Sequence, residues 1–80
     1  MAIKMLCIST ADAGRMLNVN RSTIWLYTQQ NLLQGIPAGN RTLIPLYEVA
    51  HQMGITLAEA MRIAQQNIIE MYLIWIDRVV

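Results

Sequence analysis

Five residues that interrupt regular structure, Gly35, Pro37, Gly39, Asn40 and Pro45, crowd into eleven positions near the middle of the chain. Glycine tolerates positive φ, and proline lacks the N–H that a helix interior or inner strand requires. No helix can cross this segment. Two short stretches, Leu33–Ile36 and Thr42–Pro45, flank the Gly39-Asn40 pair, and the expected outcome is a two-stranded β-hairpin with those residues at its tip. Helices are then confined to either side of the hairpin.

Cap signals place them. Ser9 is a good N-cap, and Asp12 at the third helical position suits both a capping box and the helix dipole, so a helix is expected over Thr10–Leu17. Asn18-Val19-Asn20 reads as a polar turn with one apolar anchor. Asn20 can cap a second helix from Arg21 to about Gln30, with Ile24 and Tyr27 facing inward and Asn31 in the left-handed conformation that ends it. A short third helix is expected over Leu46–Met53, stopped by Gly54. Thr56-Leu-Ala-Glu59 is a capping-box signature for a fourth, which the apolar pattern carries from Leu57 almost to the end of the chain.

The expected fold is therefore mainly α. Residues 1–54 form a helix-turn-helix with a small hairpin wing, and residues 55–80 a long oligomerisation helix. At 80 residues the core is marginal without reinforcement. Cys7 is the single cysteine, so no internal disulfide supplies it, and Cys7 and the lone His51 do not make a zinc pattern. No metal, cofactor or small-molecule ligand is expected. Met1–Ser9 is too short an apolar run for a secretory signal, and the apolar stretch Ile68–Ile76 is broken by Glu70 and far below the roughly 20 residues of a membrane span. A cytoplasmic protein with no membrane partner is expected. The formal net charge is +1, with the cations Lys4, Arg15, Arg21 and Arg41 in the N-terminal part.

The run Ile8-Ser-Thr-Ala-Asp-Ala-Gly-Arg-Met-Leu-Asn-Val-Asn-Arg-Ser-Thr-Ile24 combines a Ser-capped helix, an Asn-Val-Asn turn and a second helix opening on Arg-Ser-Thr. Leu33, Gly39, Arg41, Ile44, Pro45 and Glu48 follow it in order. Together they resemble the winged helix-turn-helix of the excisionase/MerR-like DNA-binding family, over about residues 8–50. The resemblance implies that the second helix enters the major groove of double-stranded DNA and the wing approaches the sugar-phosphate backbone. It implies DNA contacts for Arg21, Ser22, Thr23, Trp25 and Gln29 on the helix and for Asn40 and Arg41 on the wing. Leu26, Gln29 and Gln30 stand where that family commonly has arginine, so one copy alone is expected to bind weakly.

Of the 24 residues from Leu57 to Val80, 16 are apolar. Leu57, Met61, Ala64, Ile68, Met71 and Trp75 follow the 4-3-4-3-4 spacing of a coiled-coil seam, with Ile69, Tyr72, Ile76 and Val79 in an adjacent stripe. Two apolar stripes exceed what one small domain can cover. A homodimer or higher homo-oligomer is expected, with Met61, Ala64, Ile68, Met71, Tyr72, Trp75 and Val79 in its interface.

No catalytic constellation is visible, and an enzyme is not expected. The expected function is sequence-specific DNA binding, as a transcriptional regulator or a recombination accessory factor. Two alternatives remain open. One is a protein-interaction or assembly module built on the same fold; the other is the DNA-recognition subunit of a phage or plasmid packaging or partition complex.

Overall fold

The computed structural model of the chain describes residues 2–77. It begins with a strand, β1 (Ala2–Ser9), in which Met5, Cys7 and Ile8 are all buried. Apolar side chains on both faces mark a strand covered on both sides. β1 is followed by α1 (Thr10–Leu17) and α2 (Arg21–Gln29), and then by the hairpin of β2 (Ile36–Ala38) and β3 (Arg41–Pro45). Next come α3 (Leu46–Met53), α4 (Leu57–Gln66) and a fourth strand, β4 (Tyr72–Asp77). The sheet is antiparallel in the order β2-β3-β1-β4.

Register explains both cores. Ile8 opposite Ile44 presents one face of the sheet to the helices, where Ala13, Ile24, Val49 and Ala60 close over it. Cys7 lies opposite Pro45 on one side and Tyr72 on the other, and Met5 lies opposite Ile74. These residues curl the second face around a smaller cluster with Ile36 and Leu43. Burial in that cluster pushes the Cys7 thiol pKa up, because the thiolate would lose its water. Fully burying a side chain such as Ile8 or Ile24 contributes about 1.5–3 kcal/mol.

The four helices among the described residues end in one manner. Asn18, Asn31, Gly54 and Ile68 adopt left-handed backbone conformations. In each case the N–H of the next residue returns to the carbonyl five positions back: Val19 to Gly14 at 2.9 Å, Leu32 to Tyr27 at 2.9 Å, Ile55 to Ala50 at 3.0 Å and Ile69 to Ala64 at 2.9 Å. This satisfies carbonyls that the helix leaves open. The capping box at Thr56 and Glu59 is formed, as is the Ser9 cap on the Asp12 N–H.

The mainly-α expectation and its long C-terminal helix are therefore corrected. The protein is a small α/β fold in which α4 stops at Gln66 and the chain returns as β4 beside β1. Two contacts and one backbone conformation end the helix: the Asn67 side-chain amide donates to the Ile63 carbonyl at 2.8 Å, Arg15 of α1 donates to the Asn67 carbonyl at 3.1 Å, and Ile68 takes φ 55°. Beyond it, Tyr72-Leu-Ile-Trp-Ile76 is the β-branched and aromatic composition that suits a pleated surface. The 4-3-4-3-4 seam consequently does not exist. Ala64 is fully buried in the chain's own core, Ile68 is 91% exposed on a turn, and Trp75 belongs to a strand. Val79 lies outside the described residues. Within the apolar run that from sequence is only too short for a signal, Ala2–Ser9 supplies the inner strand that orders the sheet.

Candidate nucleic-acid interface

The geometry of α2 is set by a tight crossing. The turn Asn18–Asn20 folds α1 onto α2, and a Cβ added to Gly14 would lie 2.7 Å from the Val19 carbonyl oxygen. Only glycine permits this approach. α2 then projects with Ile24 buried beneath it and Arg21, Ser22, Trp25 and Leu26 exposed. Asn20 occupies the N-cap position but makes no side-chain cap bond.

The hairpin is fixed relative to α2 from behind. Tyr47 of α3 donates a hydrogen bond to the Gln34 side chain at 3.0 Å, and Gln52 donates to the Leu32 carbonyl at 3.3 Å. The tip turns at Gly39, whose φ of 68° suits glycine, and Asn40 follows it.

These placements bring Arg21, Ser22 and Trp25 of α2 together with Asn40 and Arg41 of the hairpin around one open cleft of about 590 Å³. Ser9, Thr10 and Thr42 complete its polar lining. Two arginines line it, and no carboxylate does among the described residues. Asp12 is engaged elsewhere, paired to Arg15 at 3.0 Å and accepting from the Ser9 hydroxyl at 3.0 Å. Trp25 is 58% exposed, which leaves its indole available to a ligand.

Five of the seven sequence-derived DNA residues thus converge. The other two do not. Thr23 is half-buried in the first turn of α2, its N–H donating to the Asn20 carbonyl at 3.0 Å. Gln29 is at the opposite end of the helix, in a separate groove with Thr28, Gln34 and Gly35. Sequence reasoning missed Tyr72, whose ring centroid lies 4.6 Å from the Arg41 guanidinium carbon. From sequence it falls among the oligomer contacts, because nothing local ends the helix that begins at Leu57.

No family model, curated protein or solved structure matches the chain. Among the described residues no group of His, Cys, Asp and Glu is placed to hold a metal ion, and no helix is long and apolar enough to cross a membrane.

Proposed function

We propose that the protein binds double-stranded DNA, with the first turn of α2 in the major groove and the β2–β3 tip against the neighbouring backbone. The observation that carries this reading is the cleft in which Arg21 and Arg41, from two separate elements, face one opening without a carboxylate among its described lining residues. A helix N-terminus beside two guanidinium groups favours phosphate. The hydroxyl of Ser22 and the amide of Asn40 add hydrogen-bonding groups for backbone or base edges. This is the docking that the excisionase/MerR-like resemblance of residues 8–50 implies, and a regulator or recombination accessory factor is the corresponding role.

The reading is tested by fluorescence anisotropy with mixed-sequence DNA duplexes at low and at physiological salt. Binding that weakens with salt and with Arg21→Ala supports it. No binding at low salt overturns it.

A second reading, a protein-contact module that includes self-association, is favoured by the outer strand. β4 pairs with β1 on one edge and with no strand among the described residues on the other. Leu73 is 60% and Trp75 65% exposed on the face away from the smaller cluster, with the Lys4 ammonium 5.1 Å from the Trp75 ring centroid. An apolar outer strand is a ready template for pairing. Sedimentation of Trp75→Ser against wild type separates the readings, since that substitution lies outside the arginine cleft.

A further inference from the structure

Building on the DNA-binding reading, we propose that Tyr72 is a positioning residue for the hairpin arginine. The C-terminal strand β4 is then part of the apparatus that presents Arg41 to a phosphate.

The argument starts from the pleat. Arg41, Leu43 and Pro45 alternate along β3 and share a face, and Pro45 and Tyr72 lie opposite Cys7 from its two sides. All of them therefore belong to the concave face of the sheet. The curl of that face brings the Arg41 guanidinium carbon to 4.6 Å from the centroid of the Tyr72 ring. The ring cannot easily turn away. It packs against the cluster of Met5, Cys7, Ile36 and Leu43, and its hydroxyl donates to Glu70 Oε2 at 2.7 Å. Glu70 thereby accepts a hydrogen bond at the hydroxyl edge of the ring.

An exposed arginine on a hairpin tip has many rotamers, and ordering it opposes binding. A guanidinium laid on an aromatic face is held without spending its N–H groups, which remain available for a bidentate phosphate contact. Among the described residues the one ion pair is Arg15–Asp12, so Arg41 faces a ring rather than a carboxylate. The stack holds the arginine in the cleft and does not withdraw it, because Arg41 lines the same opening as Arg21 and Ser22.

The experiment is an anisotropy titration of a mixed-sequence DNA duplex over a series of salt concentrations. It uses wild type, Tyr72→Phe, Tyr72→Leu, Arg41→Ala and the Tyr72→Leu/Arg41→Ala double variant. Circular dichroism verifies folding, and Tyr72→Met replaces Tyr72→Leu if the latter unfolds. Tyr72→Phe keeps the ring in its apolar cluster and should bind more tightly than Tyr72→Leu does. Tyr72→Leu should bind about two- to fivefold more weakly than wild type, the range expected of an exposed cation–π contact. That loss should vanish in the Arg41→Ala background. The Arg41 side-chain proton resonances should carry a ring-current shift in wild type and Tyr72→Phe that Tyr72→Leu abolishes. Tyr72→Leu binding as tightly as wild type, or losing as much with Arg41 already removed, overturns this inference alone, provided Arg41→Ala weakens binding. A wild type that binds no DNA overturns the proposed function and this inference with it.

Discussion

Gly14 and Val19 meet backbone to backbone: the Val19 N–H donates to the Gly14 carbonyl at 2.9 Å, and a methyl group at Gly14 would lie 2.7 Å from the Val19 carbonyl oxygen. The obstacle is main chain, which cannot rotate aside. Gly14→Ala should therefore destabilise the fold by about 1–3 kcal/mol despite alanine's better helix propensity, because forced overpacking exceeds that gain. Urea denaturation would measure it. An unchanged midpoint would mean that the turn relaxes freely.

Arg21→Ala and Arg41→Ala should each weaken DNA binding by about 1–3 kcal/mol if the contact is to a base, or reduce the salt slope by about one if it is to a phosphate. Both side chains are exposed, so Arg21→Ala should leave the thermal midpoint in place and Arg41→Ala should lower it by no more than the exposed cation–π contact with Tyr72 contributes, about 0.5–1 kcal/mol. Anisotropy at several salt concentrations distinguishes the two contacts. Unaltered affinity and slope in the double variant would remove the cleft from consideration.

Ile68 stands where the other three helices have asparagine or glycine. A β-branched residue at φ 55° is strained, and at 91% exposure it recovers little by burial. Ile68→Gly should stabilise the chain by about 1 kcal/mol, the order of the left-handed penalty for a residue with a Cβ. Ile68→Asp should also remain folded, the reverse of what a coiled-coil seam would require. A lower melting temperature for the glycine variant would count against the strain.

Cys7 gives a pH dependence. Its pKa is raised in the folded state by burial, so the protonated thiol is the form that the fold retains. Its contribution to stability is complete below the ordinary thiol value of 9.0 and is lost as pH rises from there through the folded value. Wild type should lose stability faster than Cys7→Ala above that pH, as urea titrations at matched pH would show. Parallel curves would rule out a buried thiol as the cause.

The parts of the fold that could be read from sequence are those specified locally. Ser9 and Thr56 begin helices through side chains three residues from the groups they cap, and Gly54 and Asn31 end them by their own backbone preference. The hairpin followed from Gly39 and Asn40, and with it the placement of Asn40 and Arg41 in the cleft. What could not be read depends on pairing between distant residues. Cys7 meets Tyr72 only in the folded sheet, and no periodicity within either segment reports the other. Ile68 hid the end of α4, because isoleucine carries no stop signal. The contact between Arg41 and Tyr72 was missed for the same reason, since it requires β4 to exist.

The position of β1 has a consequence for how the molecule acquires its shape. β1 is an inner strand, and both of its neighbours follow it along the chain: β3 after two helices, β4 after two more. α1 and α2 can form early from adjacent residues, yet the surface on which they rest is incomplete until distant segments have found one another. Closing such long loops is slow compared with winding helices. α1 and α2 should therefore give a helical signal before the cleft forms, and the two arginines should reach their shared opening only when the sheet closes.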